Sequence, residues 1–362
     1  MSDQTPPISS KPTVITFKEG GWLILLTCLL IISLLAWALA PALFRQNERP
    51  PGDGENIETY EFDLSNPRVD IDTIEAAVLY RDMIPVEDDA IVLTPEEVTA
   101  ANAERKPYLI SQDLVIGVVV DGQPRAYPLS ILNVHEIIHD DINDKPIAVT
   151  WHWPSGATRV FDRTINGNDT MFGVSGLVAS GNLLMYPRRF DGLQGNEPLI
   201  SQALGRTITG QEMELQTIPH ELVTWADWLD RYPRTTVAAA RPELKNRYKK
   251  GKPDVWFASD DVMFQTPIPE DGPPPKSHML LLRSDGQSTF VGLDQLIEIA
   301  DESGEAVVQH GDRSVRLIVT QYPPTARLTA EDVDTVDSMR ILWISGRAIS
   351  PESVLATPGE AP

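Results

Sequence analysis

The sequence predicts an α+β fold, strand-rich with short helices, composed of two related half-domains and preceded by one transmembrane helix. Three observations support this prediction: a long uncharged apolar run, short apolar segments joined by turn dipeptides, and a segment that recurs later in the chain. Hydrophobic residues form 42% of the 362 residues, which is enough for a buried core. The predicted boundaries are a tail at 1–21, a transmembrane helix at 22–44, a linker at 45–70, and half-domains at 71–240 and 241–362.

The apolar run at residues 22–44 contains no charged side chain. A helix of this length is long enough to cross a hydrocarbon core of about 30 Å. The run is too long for a signal peptide and does not end in a small-residue cleavage site. We therefore expect a single-pass protein of the cell membrane, with the bilayer as the partner of residues 22–44.

The orientation in the membrane is not decided by the flanking charges. Lys11 and Lys18 precede the apolar run, while Arg45 and Arg49 follow it, so the positive-inside rule favours neither side. A short tail before one span and a large acidic domain favours an extracytoplasmic domain, on the periplasmic side.

Charge and cysteine content exclude several function classes. The net charge of −22 argues against a nucleic-acid partner, because binding to phosphates needs a basic surface. The one cysteine, Cys28, lies inside the apolar run. The domain that follows therefore has no disulfide, no cysteine-ligated zinc and no cysteine nucleophile.

Turn dipeptides and apolar spacing predict the elements of the domain. Proline, glycine and charged residues dominate 45–70 and predict a linker. Hairpins are predicted at Asp121-Gly122, Asn166-Gly167 and around Gly311, because these residues favour the tight turns of antiparallel strands. The spacing of apolar residues predicts helices over 220–232 and 292–302.

Two pairs of similar segments predict an internal duplication, which is the basis of the two half-domains. "DGQPRAYPLSIL" (121–132) and "DGQSTFVGLDQL" (285–296) share the Asp-Gly-Gln turn and both leucines. About twenty residues later, "IAVTWHWPSGATR" matches "LIVTQYPPTAR" in Val-Thr and a proline four positions on. The second copy has no counterpart of His135, Glu136 or His152, so we expect function to concentrate in the first half.

Residues 135–139 read His-Glu-Ile-Ile-His, the pattern that places two zinc-binding imidazoles on one face of a helix in metalloproteases. Only about three helical turns fit before Asn143-Asp144 predicts a turn, and the extended metzincin pattern is missing. A metal-dependent hydrolase with Glu136 as its catalytic residue is therefore kept as an alternative.

A metal site without protease activity is a second interpretation of this region. If the helix packs over the strand that carries His152, the rings of His135, His139 and His152 converge. Three imidazoles suit zinc or copper. The remaining interpretation is structural: His135 and Glu136 bind a turn of the backbone, and His139 faces solvent.

Residues 80–235 resemble the bacterial domain of unknown function 3179 (DUF3179) family. The resemblance is carried by "LVIGVVVDGQPRAYPLSILNVHEIIHDDINDKPIAVTW", "FDRTINGNDTMFGVSGLVASGNLLMYPRR" and "LVTWADWLDRYPRTTV". Where the family has T-Y-C-P-L-C-G, this chain has "TWHWPSG", so His152 and Ser155 stand at the two thiol positions. The family's paired thiols imply a redox or metal role. His139 also departs from the family pattern H-E-I-V-N-D.

Glycines and serines supply further pocket candidates. "FGVSGLVASGNLLMY" (172–186) lacks the spacing of a phosphate-binding loop, and tight strand packing is the favoured interpretation. Its glycines still let a ligand approach the backbone, which makes Gly173 and Ser175 pocket candidates. Ser155 is a third candidate, and it is a nucleophile only if a base such as His152 lies within hydrogen-bond reach.

The sequence thus predicts a membrane-anchored extracytoplasmic protein that binds a metal or small ligand in an envelope redox-related role. The alternatives are the metal-dependent hydrolase and a non-catalytic interaction module. Whether the protein is an enzyme is left open by the sequence.

Overall fold

The structure, a computed structural model, describes residues 21–45, 50–103, 109–188, 195–244, 247–248 and 252–356, with the backbone alone at 38–45, 252 and 254. The chain forms two compact units, Met1–Pro50 and Pro51–Pro362. Most of the predicted N-terminal tail lies outside the described residues.

The first unit contains one helix, α1 (Gly21–Arg45). Its large apolar side chains are half exposed along the described part, for example Leu23 at 54% and Leu30 at 57%. Within the residues that the structure describes, no helix combines the length and the hydropathy needed to cross a membrane.

The second unit is a strand-rich α+β fold, as the sequence predicts. In chain order, its elements up to residue 162 are β1 (Ile74–Ala76), β2 (Val92–Leu93), α2 (Pro95–Asn102), β3 (Leu114–Val120), β4 (Gln123–Pro128), α3 (Leu129–His135), β5 (Ile137–Ile142), β6 (Lys145–His152) and β7 (Ala157–Asp162). Those from 164 to 257 are β8 (Thr164–Ile165), β9 (Asn168–Asp169), β10 (Phe172–Ala179), β11 (Asn182–Pro187), β12 (Ile200–Ser201), β13 (Arg206–Thr207), β14 (His220–Thr224), α4 (Trp225–Arg231), β15 (Thr236–Ala238) and α5 (Lys252–Phe257).

The remaining elements follow residue 277. They are β16 (His278–Ser284), β17 (Gln287–Gly292), α6 (Leu293–Ile299), β18 (Glu305–His310), β19 (Arg313–Thr320), β20 (Thr325–Leu328), β21 (Asp337–Leu342), α7 (Trp343–Ile349) and β22 (Val354–Leu355). Short 3₁₀ helices lie at Ile57–Tyr60, Ile71–Thr73 and Pro242–Leu244.

The same succession of elements occurs twice in this unit. A hairpin, a short helix and a three-stranded meander form β3-β4-α3-β5-β6-β7 and again β16-β17-α6-β18-β19-β20. A strand, a helix and a short strand then complete each copy, as β14-α4-β15 and β21-α7-β22. In both copies the last strand pairs in parallel with the second strand of the hairpin. Each copy buries an apolar core between its two sheets.

The two copies exchange contacts in a reciprocal way. Strand β14 of the first copy lies against β20 of the second, and β21 of the second lies against β7 of the first. The Nη1 of Arg159 on β7 donates to both carboxylate oxygens of Asp337 on β21. The backbone N–H of Leu342 donates to the carbonyl of Ser155 at 2.7 Å. The halves are therefore joined by hydrogen bonds as well as by apolar packing.

A separate sheet of five strands has the order β1-β10-β11-β12-β13. Four of them, β10 to β13, are inserted between β7 and β14 of the first copy, whereas β1 comes from the segment before β3. Tyr60 and Phe62 are buried against this sheet. The sequence predicts a linker at 45–70, but the folded unit begins at Pro51. The aromatic side chains of this segment bury enough apolar surface to hold it against the sheet.

The helix predicted over 220–232 is wrong in its first half. Residues His220–Thr224 form β14, which pairs with β3, and the helix begins only at Trp225. Leu222 and Val223 pair with Ile116 and Val115. The Thr224 side chain caps the helix by accepting the N–H of Asp227. The apolar spacing across 220–232 thus combines a strand and a helix.

Candidate functional site

The His-Glu-Ile-Ile-His segment does not form one helix. Helix α3 ends at His135, and Glu136 adopts a positive φ of 57° before β5 begins at Ile137. The β-branched residues Ile137 and Ile138 favour the strand. The predicted helix carrying both His135 and His139 is therefore wrong. The metal-dependent hydrolase loses the scaffold that its ligand spacing requires.

His135 and His139 bind different partners. The His135 ring lies 2.7 Å from the carbonyl of Pro85 through Nδ1 and 2.8 Å from the hydroxyl of Tyr248 through Nε2. The His139 Nε2 accepts the backbone N–H of Phe172 at 3.0 Å, which leaves Nδ1 to donate to Asp88 at 3.1 Å. Burial lowers the pKa of both rings. His139 is fully buried rather than solvent-facing.

His152 belongs to a third set of contacts. Its Nδ1 lies 2.9 Å from the hydroxyl of Ser155, which accepts the side-chain N–H of Asn182 at 3.0 Å. Asn182 also donates to Gln202 at 2.9 Å. Burial lowers the pKa of His152 to about 3, so the ring is neutral. Ser155 and His152 are thus placed like a serine nucleophile and its base. Because Ser155 is fully buried, however, a substrate has no access to its hydroxyl, and the network serves to join strands.

These contacts do not support the metal site predicted from His135, His139 and His152. Each ring is held by its own partners, and both nitrogens of His135 and of His139 are already hydrogen-bonded. Across the described ranges, no group of three or more histidine, cysteine, aspartate or glutamate side chains can hold a metal ion.

Glu136 is an isolated buried acid. Its side chain is 4% exposed, and it forms no hydrogen bond or ion pair with the described residues. Burial alone raises the pKa of Glu136 to about 8. The carboxyl group is therefore mostly protonated at neutral pH and acts as a neutral acid.

Gly173 and Ser175 lie in β10, a strand that is buried along its whole length. A side chain at Gly173 would approach the ring of Tyr186 to 2.3 Å, so the glycine permits close packing. The Ser175 hydroxyl donates to the carbonyl of Leu184 at 2.6 Å beside an irregularity in the strand register. Both residues, like Ser155, are explained by packing and backbone hydrogen bonds.

A cleft of about 460 Å³ lies beside α3, where the first half meets the second. The first half contributes Asn133 from α3 and Trp151 from β6, and the second half contributes His278 and Arg340. Phe257 and Leu222 add apolar surface. Pockets of this size, mostly apolar with a few polar groups and placed between structural units, are typical of small-ligand sites.

Arg340 is the unusual member of this lining. It is 8% exposed, its Nη1 donates to the carbonyl of Pro324 at 3.0 Å, and its Nε has no partner among the described residues. It forms no ion pair within that part of the chain. Burial lowers the pKa of Arg340 to about 10, against a weaker effect of Asp294. A buried guanidinium without a counter-ion is costly, because it loses hydration and gains no anion.

Two further groups add hydrogen-bonding capacity to the cleft. His278 has a buried Nδ1 with no partner in the described structure, and burial together with the charge of Arg340 lowers its pKa to about 3. Asn133 accepts the indole N–H of Trp151 at 2.8 Å through its oxygen, which leaves its amide N–H₂ as a donor. Asp113 also lines the cleft and accepts the N–H of Ile110 at 2.9 Å.

The sequence alone did not identify His278 and Arg340 as neighbours in a cleft. His278 and Arg340 are 62 positions apart and come together because β16 pairs with β21, with His278 opposite Leu342 and Leu280 opposite Arg340. The available signal was an arginine inside the apolar strand "MRILW". Tyr248, which also lines the cleft, links it to His135 through their 2.8 Å hydrogen bond.

A second cavity, of about 910 Å³, lies in the second half and has a different lining. It contains no histidine, arginine, lysine or aromatic residue. The chemistry of a small-ligand site is therefore concentrated in the smaller cleft.

The comparisons with known proteins agree with the sequence resemblance. Residues 81–351, about three quarters of the chain, match the model of a family described as "Protein of unknown function (DUF3179)". No curated protein and no solved structure matches the chain.

Proposed function

Since the chain belongs to the DUF3179 family, whose description assigns no activity, we propose from the geometry that it binds a small anionic ligand in the cleft between its halves. The observation that carries this proposal is the buried guanidinium of Arg340, which lines the cleft without a carboxylate partner among the described residues. A bound carboxylate or phosphate would supply the missing charge and form charge-assisted hydrogen bonds.

The remainder of the lining defines the rest of the ligand. Trp151, Phe257 and Leu222 present apolar surface, which suits an aromatic or aliphatic body attached to the anionic group. The free N–H₂ of Asn133 and the neutral ring of His278 offer hydrogen bonds beside it. The lining of the cleft supports the binding of a small ligand and gives no support to a role in redox chemistry or metal binding.

We also propose that residues 22–44 anchor the protein in a membrane and that the folded unit lies outside the cytoplasm. The support is the uncharged apolar sequence, the helix at Gly21–Arg45, and the exposure of its apolar side chains. In water such exposure is unfavourable, whereas hydrocarbon would cover it.

Thermal-shift measurements with four probes test the anion proposal. Benzoate and phenyl phosphate combine an anion with an apolar body, inorganic phosphate has the anion alone, and benzamide has the body alone. We expect benzoate or phenyl phosphate to raise the melting temperature of the full-length protein in detergent, with benzamide inactive. Saturating ligand at about 100 times its Kd stabilises a protein by about 2.7 kcal/mol, which is readily measured.

The decisive variant is Arg340→Gln, with Arg316→Gln as its control. Arg316 is a surface residue that pairs with Glu331 at 3.2 Å, so its loss leaves the cleft intact. We expect Arg340→Gln to abolish the shift while the ligand-free variant melts no lower than the wild type, because an unpaired buried charge has been removed. Equal shifts in Arg340→Gln and wild type, or no shift with either anion, would contradict the proposal.

A further inference from the structure

The two halves differ in whether the groove between the edges of their two sheets is filled. In the first half, the chain's own segment 84–93 runs from the edge of β5 to the edge of β15. Glu87 bridges Ile138 in parallel, with the Glu87 N–H donating to the carbonyl of Ile137 at 3.0 Å and the Glu87 carbonyl accepting the N–H of His139 at 2.8 Å. At the other end, β2 pairs with β15. The first-half groove is thus filled by a segment that pairs with β5 near one end and with β15 at the other.

The corresponding place in the second half is the cavity of about 910 Å³. Its lining comes from β17, β18, β22 and α6, the counterparts of β4, β5, β15 and α3. We name this cavity the β18 groove. Strand β18 is the edge of its sheet, and β22 is the last strand of the other sheet, where the first half has β2 as a fifth strand.

Part of the backbone along the β18 groove is available for pairing. The carbonyl of Glu305, the counterpart of Ile137, accepts the N–H of Asp301 at 2.9 Å, so the available groups are those of the residues that follow. From the shared register of the two meanders, Val307 corresponds to His139, whose N–H is bonded to the filling segment in the first half. In the described structure, no residue beyond β19 bonds to the backbone of Val307 or Gln309. Val354, on the outer edge of β22, is 65% exposed. Unpaired edges of this kind are templates for an added strand.

The charge of the β18 groove indicates which segment fits. In the first half, the acidic segment at 87–89 fills a groove that presents Arg241, and Arg241 forms an ion pair with Glu87. The β18 groove is lined by three carboxylates, Asp301, Glu305 and Glu352, and by no lysine or arginine. From outside this lining, the exposed Arg316 approaches Glu305 at 3.6 Å. Its charge is therefore reversed, so an acidic filler is disfavoured and a basic one is favoured.

We propose that the β18 groove binds an extended segment of a partner protein that is apolar at its ends and basic at its centre. The segment adds a strand to the edge of β18 and reaches the edge of β22, as residues 84–93 do for β5 and β15. Backbone hydrogen bonds to Val307 and Gln309 supply the pairing, and lysine or arginine side chains meet Glu305 and Glu352. The site is separate from the cleft that contains Arg340.

Two synthetic peptides test this proposal on the full-length protein in detergent. One has the native sequence of residues 84–93, IPVEDDAIVL, and the other has lysine in place of its three central acidic residues. We expect the lysine peptide to bind saturably in fluorescence anisotropy and the acidic peptide to bind at least about tenfold more weakly. Hydrogen exchange at Val307 and Gln309 slows when the lysine peptide is bound.

Two variants disrupt the site in different ways. Val307→Pro removes an outward N–H from an edge position where proline is tolerated, and Glu352→Lys reverses one groove charge. Each should weaken binding by about tenfold or more. The control Glu58→Lys makes the same charge change at an exposed acid outside the groove and should leave affinity unchanged.

Three results would overturn the proposal. The first is no saturable binding of the lysine peptide. The second is equal binding to wild type, Val307→Pro and Glu352→Lys. The third is self-association of the protein that Val307→Pro abolishes while the peptide fails to bind, which would make a second copy of this chain the occupant.

Discussion

Glu136 shows how one residue at an element boundary carries an energetic cost. It ends α3 with a positive φ of 57° and places its carboxyl group in a buried site without a partner among the described residues. A backbone held in a sparsely populated region of φ and ψ costs about 1–3 kcal/mol. Burial also raises the pKa of Glu136 to about 8, from an ordinary value of 4.5. The folded state therefore holds a proton that the unfolded state releases above pH 4.5.

This proton makes stability fall as the pH rises. Between pH 4.5 and 8 the folded state binds more protons than the unfolded state, so the free energy of unfolding decreases through this window by up to roughly 5 kcal/mol. Glu136→Gln keeps the shape of the side chain without an ionisable group. We expect the variant to match wild type near pH 4.5 and to be more stable by several kcal/mol, of order 3–5, at pH 8.5.

Urea unfolding at the two pH values measures this difference. Glu298→Gln, at an exposed position of α6, is the matched control and should behave as wild type. If the difference in stability between Glu136→Gln and wild type is the same at both pH values, Glu136 does not hold a proton in the folded state as we infer.

At the scale of elements, the packing of α4 on β3 depends on one glycine. A Cβ at Gly117 would lie 2.2 Å from the indole ring of Trp228. Trp228 is 1% exposed and donates its indole N–H to Thr235 at 2.8 Å, so it has little freedom to move. The close approach of this helix and strand is therefore sterically determined.

Gly117→Ala should lower the free energy of unfolding by about 1–3 kcal/mol, because overpacking forces the indole ring or the strand to shift. In a Trp228→Leu background the same substitution should cost much less, since the ring that it meets is gone. A double-mutant cycle from denaturant unfolding measures this coupling. Additive effects of the two substitutions would show that Gly117 and Trp228 are not in steric contact.

Several elements were predictable because they are determined locally. The hairpin at Asp121-Gly122 is confirmed, with φ values of 48° and 77° that suit these residues. The helix predicted over 292–302 forms as Leu293–Ile299. Wrong predictions arose where pairing decided the structure: Leu222 has helical spacing but pairs with Ile116 on β3.

The candidate site was less predictable than the fold, because distant strands assemble it. From the sequence, Ser155 was a nucleophile only if His152 lay within hydrogen-bond reach. The structure meets this condition, since His152 Nδ1 lies 2.9 Å from the Ser155 hydroxyl. The full burial of both could not be read from their spacing in the sequence. The meeting of His278 with Arg340 depends on the pairing of β16 with β21, which no local pattern indicates.

The whole molecule combines two similar halves that have diverged in their surfaces. The first half carries an inserted sheet and covers its own groove with residues 84–93, whereas the groove of the second half is open among the described residues. The cleft with Arg340 lies where the halves meet. The duplicated halves therefore present two different surfaces: the cleft that we propose for a small anion and the β18 groove that we propose for an extended segment.

The proposed anchor predicts the behaviour of the full-length chain in cells. We expect it to stay in the membrane fraction after alkaline carbonate extraction. Leu26→Arg together with Leu30→Arg should release it, since an arginine near the centre of a span costs about 2.5–3.5 kcal/mol for insertion. Leu79→Arg, at an exposed position of the folded unit, is the control that should remain bound. Extraction of the wild-type chain by carbonate would refute the anchor.

Direct observation of a bound anion tests the central proposal most sharply. Crystals of the protein soaked with 4-bromobenzoate provide an anomalous bromine signal that locates the ligand. We predict one peak in the cleft beside Trp151 and Phe257, with the carboxylate at about 3 Å from the guanidinium of Arg340, and no such peak in Arg340→Gln crystals. A bromine peak only at other places, or one in the cleft that persists in Arg340→Gln, would contradict anion binding by Arg340.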